Sequence, residues 1–315
     1  MEVCELQTAL ITGGQVIVMF LLMSIGFTMT RMKLFTPDGS TQLNKLLLNV
    51  VTPAVLLNSF NRDFEWALFG SLGICMLLCS ASIGISVAVA FLFARGRDEL
   101  RRTERFAVCF PNCGFFGIPL VAAVLGQDAV IYASCGIVAF NLGCWTFGVI
   151  MLSGKVGSLG DVIRKALLNP GVIGVVLGLA LFFSPITLPG PIAGAVGHLA
   201  NLNTPLAMIV VGSFMARADL VGALKSFGVW KVCLLRLIVI PALTLPICLL
   251  FKSSEAAATA SFIINCCPVA AVASMFPNLF GMAEGEKYGS ALVSVSTLLS
   301  VASIPLLMLA WSSLV

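Results

Sequence analysis

Residues 109–120 read Cys109-Phe110-Pro111-Asn112-Cys113-Gly114-Phe115-Phe116-Gly117-Ile118-Pro119-Leu120, inside a stretch, 106–127, that holds no Asp, Glu, Lys or Arg. A helix needs about 20 apolar residues to cross a ~30 Å hydrocarbon core, so this stretch is long enough to span a membrane. Proline has no N–H, and its ring clashes with the carbonyl four residues back. Pro111 and Pro119 therefore release the carbonyls of Ala107 and Phe115 at a depth where lipid cannot solvate them. Interrupted backbone is tolerated there only where it is buried in protein or lines a wet cavity.

The same theme returns at Asn265-Cys266-Cys267-Pro268 and at Pro277-Asn278, where the freed carbonyls belong to Ile264 and Ala273. A single proline in a membrane helix is commonly just a kink. Two doubly interrupted spans at corresponding places in two halves of a chain are the sequence pointer to a transporter binding site.

The rest of the chain fits that setting. Of its 315 residues 59% are hydrophobic and 10% charged, against about a quarter charged in an ordinary soluble domain. Charge-free blocks at 6–30, 46–61, 66–94, 129–154, 166–216, 256–283 and 288–315 complete the pattern. Block 166–216 holds two spans, with Pro185, Pro189, Gly190 and Pro191 marking the reversal between them. The expectation is an all-α integral membrane protein of ten spans, near 6–29, 43–60, 66–94, 106–125, 128–153, 169–185, 190–216, 229–251, 257–280 and 287–312. Its halves, 1–153 and 154–315, hold five spans each, and the longest polar stretch, 95–105, leaves no room for a separate soluble domain. The first span does not read as a cleavable signal, because Glu2 and Glu5 precede it rather than a basic run.

Charge sets the orientation. With the N-terminus outside, the alternate loops assigned inside carry fourteen Lys and Arg, while the outside loops carry only Arg62 and Lys252. That is a strong positive-inside bias, and it puts both termini outside. The cluster Arg95, Arg97, Arg101, Arg102 and Arg105 is then a topology determinant rather than a nucleic-acid surface.

Other functions lack their chemistry. The cysteines show no spacing of a metal site or a disulfide framework, and most fall inside spans, where they act as small apolar residues. His198 is the only histidine, so no triad or acid–base pair can be assembled around it. An enzyme is not expected, nor is a metal or any other cofactor.

A duplication is traceable. Span two holds Asn49-Val-Val-Thr52-Pro53 and span seven Asn201-Leu-Asn-Thr204-Pro205, both N-x-x-T-P, with Ser59-Phe60 echoed by Ser213-Phe214. Five spans per half force the copies into opposite orientations. Such an inverted repeat is the geometric basis of alternating access.

Pro111-Asn112 followed by Gly117-Ile118-Pro119-Leu120 resembles the fourth-span signature of the auxin efflux carrier family, which includes the plant PIN-type carriers and bacterial homologues. Asn141-x-x-x-Trp145-x-x-Gly148, Asn169-Pro170, Pro268 and the run Ser294 to Pro305 extend the resemblance over nearly the whole chain. It implies two inverted five-helix repeats whose broken helices four and nine cross at mid-membrane. Spans one, two, six and seven would form a scaffold, and spans three to five and eight to ten a transport unit. It implies organic-anion cargo, either auxin-like acids or small carboxylates such as malate and malonate. The long cytoplasmic loop of the plant carriers is absent here, since 154–168 is short, and span three has no acidic residue. The short loops fit a bacterial inner-membrane carrier, and homodimerisation is compatible with the resemblance.

The residues themselves argue for an anion. A half-helix beginning after Pro111 offers unpaired N–H groups and a partial positive charge, which suits a carboxylate. Asn112 adds an amide donor, making it the main expected contact. Asn49, Thr52 and Asn141 are further candidates, and Cys113, Cys267, Pro111 and Pro268 would line the crossing. Arg236 sits a few residues inside span eight, from where it can snorkel to the cytoplasmic interface. No deep carboxylate is available for a proton relay. A sodium-coupled symporter of bile-acid type and a non-transporting membrane sensor remain open beside the carrier.

Overall fold

A computed structural model describes residues 2–96, 98–153, 164, 168–184 and 186–315 of the chain. Arg97, Lys155, Lys165, Pro185 and most of the 154–168 loop, with the boundary between the two halves, lie outside the described residues. The described chain is helical, and its one β feature is a single antiparallel bridge between Pro111 and Val269.

Seven of its helices are long and apolar enough to cross a membrane: α1 (Glu2–Arg31, counted from Leu10), α2 (Pro37–Phe60), α3 (Trp66–Phe93), α6 (Gln127–Ser153), α8 (Gly190–Met215), α9 (Phe227–Leu249) and α11 (Ala283–Ser312). The other three expected spans are short or divided. The fourth is split into α4 (Glu99–Cys109) and α5 (Cys113–Leu125). The sixth is α7 (Pro170–Phe182), and the ninth is α10 (Glu255–Cys266) followed by short turns at Ala271–Ser274 and Phe276–Leu279.

The prolines act in two different ways. Pro111 and Pro268 stop their helices, and the residues before them, Phe110 (φ −111, ψ 110) and Cys267 (φ −65, ψ 146), are extended, as the pre-proline clash demands. Pro119 does not break α5. A π turn at Cys113–Gly117 precedes it, and the helix continues from Ile118. The same device precedes Pro53, with a π turn at Leu47–Val51, and Pro241, with one at Leu235–Val239. One extra residue in the turn accommodates the carbonyl that proline leaves without a donor. Pro277 likewise is no break. It lies in the four-residue turn Phe276–Leu279, in chain that is already irregular, and its carbonyl accepts from Phe280 and Met282 N–H, each at 3.0 Å.

Polar side chains start the helices that border the interruptions. Thr36 accepts from Gly39 N–H with Pro37 at the first position of α2. Asp98 accepts from Arg101 N–H to open α4, and Asn169 accepts from Gly171 N–H to open α7. Each satisfies one of the orphan donors of a helix N-terminus.

Two helix pairs come unusually close. A Cβ on Gly26 of α1 would collide with the Ile209 carbonyl of α8, and one on Gly212 of α8 with the Met23 carbonyl of α1. α7 meets α2 in the same way, where a Cβ on Gly174 would lie 2.8 Å from Pro53 Cα. Small residues that let backbones touch are the usual device for joining helices in lipid. By contrast α3, α4, α6, α9, α10 and α11 pack on one another around the two interruptions.

Gly212→Ala is expected to force α1 and α8 apart and to lower the melting temperature in detergent, at a cost of about 1–3 kcal/mol. Gly14→Ala, whose Cβ would meet nothing within 4 Å, is expected to leave the melting temperature unchanged or raise it slightly. Thermal unfolding of the two variants beside the parent chain checks both outcomes.

Candidate functional site

The two interruptions meet. Asn112 N–H donates to the Pro268 carbonyl at 2.8 Å, and Ala270 N–H donates to the Phe110 carbonyl at 3.0 Å. These bonds pair the residues at one break with those at the other, so each break supplies partners for backbone groups that lie outside a helix at the other.

A cavity of about 720 Å³ opens against this crossing, within the range of small-molecule sites. It gathers Asn49 and Thr52 from α2, Pro111, Asn112 and Cys113 from the first break, and Asn141 from α6. Cys267 and Pro268 do not line it. Cys267 is buried behind the crossing with its Sγ donating to the Ile263 carbonyl at 3.3 Å, and Pro268 contributes only the carbonyl that holds Asn112.

Asn112 is the chemically distinct member. Its Oδ1 accepts from Phe115 N–H at 3.3 Å, capping α5, and its own carbonyl accepts from Phe116 and Gly117 N–H. That use of Oδ1 fixes the amide orientation and turns the two hydrogens of Nδ2 away from the helix. The side chain is buried, and Nδ2 finds no acceptor among the described residues. Asn141 is placed differently, since its Nδ2 already donates to the Ile137 carbonyl at 2.9 Å. Asn49 donates to the Lys45 carbonyl at 2.7 Å and is exposed. Thr52 is buried one turn deeper along the same face of α2.

Among the cavity residues that sequence reasoning missed are two cations, Lys45 and Arg217. Lys45 stands on the α2 face that carries Asn49 and Thr52, at i, i+4 and i+7, and that spacing was the available signal. Arg217 follows α8, and its Nη2 donates to the Thr36 carbonyl at 3.2 Å and to Ser40 Oγ. Partial burial holds its guanidinium somewhat below the ordinary arginine pKa. Glu286 is the one carboxylate on the wall, so two cations face one anion. Phe140, Trp145 and Phe276 form an apolar side, with the rings of Trp145 and Phe276 5.2 Å apart.

One charged group near the crossing is not where the sequence reading had it. Arg236 does not snorkel. It is fully buried, donating from Nη1 to the Val108 carbonyl at 3.2 Å and from Nη2 to the Asn265 carbonyl. Glu104 lies at the loop end of α4 yet is 1% exposed, receiving Arg101 and Lys231 at 2.6 Å each and Tyr288 Oη at 3.1 Å. It thereby ties α4 to α9 and α11. The ten cysteines from Cys75 onward are all buried and free of disulfides, and no metal-holding cluster occurs among the described residues.

Helices enough to cross a membrane repeatedly, two of them broken at a common crossing beside a cavity, fit a polytopic membrane protein. The family model described as "Membrane transport protein" matches residues 12–160 and 155–308. The chain belongs to that family, the auxin efflux carriers. It is also similar to an uncharacterized transporter of Methanothermobacter thermautotrophicus, 25% identical over 203 residues. That match covers 62% of this chain and 66% of the relative's own length.

Glu104→Ala removes the acceptor shared by Arg101, Lys231 and Tyr288. Both cations keep some solvent contact, so the expected cost is on the order of 2 kcal/mol rather than that of a fully buried pair. A lowered melting temperature of the purified variant, with Glu104→Gln falling between the two, is the outcome to look for.

Proposed function

We propose that the chain is a secondary transporter that moves small organic anions across the plasma membrane by alternating access. The single observation that carries this reading is the Asn112 Nδ2 group. A buried amide without an acceptor costs about 1–3 kcal/mol, and here the residue that carries it lines the cavity at the start of a half-helix. Its N–H groups and the positive end of the α5 dipole suit a carboxylate, and Lys45 and Arg217 add positive charge to the cavity wall. The aromatic side would take the organic part of the ligand. Asn141, Asn49 and Thr52 complete the polar floor, with Pro111 and Cys113 at its edge.

The architecture proposed with it is ten spans in two inverted repeats, 1–153 and 154–315, whose broken fourth and ninth spans cross. The repeated N-x-x-T-P motif and the reciprocal hydrogen bonds between the two breaks support it. So do the glycine-mediated α1–α8 and α2–α7 contacts, which join spans one, two, six and seven as a scaffold. Spans three to five and eight to ten would then move against it. With both termini outside, Lys45, Arg217 and Glu286 stand at the cytoplasmic ends of their helices, so the cavity faces inward. A bacterial inner membrane is the proposed location, with the bilayer as surroundings and no nucleic acid as partner; a homodimer is the proposed assembly.

The test is counterflow into proteoliposomes with malate, malonate, succinate, lactate and indole-acetate. The expected result is saturable exchange of at least one acid, with Asn112→Ala raising its half-saturation concentration about tenfold or more, the equivalent of 1.4 kcal/mol or above. Silence toward every acid from folded protein would sink the cargo assignment. Unchanged half-saturation in Asn112→Ala would remove Asn112 from the site.

A further inference from the structure

Among the described residues Arg236 is the largest fully buried side chain, and no carboxylate lies within ion-pair distance of it. It owes its position to Pro241, whose missing N–H is accommodated by the π turn Leu235–Val239 that contains it. Its partners are not arbitrary. Val108 is in the last turn of α4 and Asn265 in the last turn of α10, the two half-helices that end at Pro111 and Pro268. Each helix C-terminus carries about half a negative charge in its unpaired carbonyls. Two such ends converging amount to about one negative charge, and a guanidinium, which stays protonated in proteins, supplies one positive charge.

The same place has a known use in carriers with broken helices. Unwound carbonyls and half-helix C-terminal ends near mid-membrane coordinate the coupling Na⁺ or H⁺, while half-helix N-terminal ends point at the anionic substrate. Here the residues that open the half-helix after the first break line the cavity, and one carbonyl in the last turn of each broken helix is taken by a side chain of the protein itself. We propose that Arg236 is a built-in counter-cation that fills the position of a coupling ion, so that this carrier works without bound sodium. The proposal rests on the carrier reading above and extends it to the coupling mechanism. It also accounts for the polarity of the crossing: with the two negative ends neutralised, the remaining helix ends are positive, which favours an anion. Asn265 is held for this contact, since its Nδ2 donates to Ser82 Oγ at 2.8 Å and to the Ser261 carbonyl at 2.9 Å, leaving its backbone carbonyl to Arg236.

The test uses the full-length protein in detergent and reads thermal unfolding at constant ionic strength in choline chloride, sodium chloride, or choline chloride with about 20 mM guanidinium, well below the molar concentrations that denature proteins. The parent chain is expected to melt at the same temperature in choline and in sodium. Arg236→Ala is expected to melt lower in choline and to recover by a few degrees, saturably, when sodium or guanidinium refills the vacated carbonyls. Arg236→Lys, which keeps the charge, is expected to stay indifferent to sodium. A purely structural arginine would give Arg236→Ala a lower melting temperature that no cation restores, and that result would overturn the proposal. So would a parent chain stabilised by sodium. Should Arg236→Ala not fold, the parent chain and Arg236→Lys carry the decision: sodium indifference in both supports the proposal, and sodium stabilisation of either overturns it. None of these readings involves an organic anion, so a wrong choice of cargo and a wrong role for Arg236 give separate failures.

Discussion

The structure turns on one constraint: a proline inside a membrane-deep helix leaves backbone carbonyls and N–H groups that lipid cannot satisfy. The chain meets it in three ways. Where the proline follows a π turn, as at Pro53, Pro119 and Pro241, the helix absorbs the defect and continues. At Pro111 and Pro268 the helix stops instead, and the two ruptures hydrogen-bond to one another, Asn112 to Pro268 and Ala270 to Phe110. The carbonyls still left at the ends of α4 and α10 go to Arg236. Among the buried groups left without a partner is the Asn112 amide nitrogen, and Asn112 lines the cavity.

That arrangement separates charge across a few residues of chain. The helix ends that carry negative partial charge are neutralised from within the protein, and the end that carries positive partial charge is left facing the cavity. Lys45 and Arg217 continue the same sign toward the mouth, against Glu286 alone. The sign of the site therefore follows from which helix ends are covered rather than from any deep ionised side chain in the cavity floor. Anchoring is handled elsewhere: the Gly26 and Gly212 contacts lock α1 to α8, and Glu104 binds α4, α9 and α11 at their polar ends. A site that must change exposure needs such a division between parts that hold and parts that shift.

Much of this was legible in the residues. Pro111 and Pro268 announced the ruptures because proline removes a donor wherever it falls, and Asn112 stood out as the amide beside the first of them. Asn49, Thr52 and Asn141 were further polar candidates within the spans, and the structure brings all three to one cavity. The failures share a cause. Pro119 and Pro277 carry the same local chemistry as Pro111, and only the surrounding chain decides whether a π turn or an already irregular segment takes up the defect. Arg236 read as a snorkelling side chain because its depth depends on that same π-turn register. Arg217 and Glu104 became visible only once distant helices were packed, since each acts through partners far along the chain: Ser40 for Arg217, and Lys231 and Tyr288 for Glu104.

The central claim is that the unpaired Asn112 amide, at the start of a half-helix, is where a carboxylate sits. The most direct measurement is a crystal structure of the protein soaked with a brominated small carboxylate, read by the anomalous scattering of bromine. The account predicts a peak in the cavity, with the carboxylate within hydrogen-bond distance, about 2.7–3.2 Å, of Asn112 Nδ2. A peak confined to Lys45 and Arg217 at the mouth, with the Asn112 amide still unpaired at saturating ligand, would contradict it.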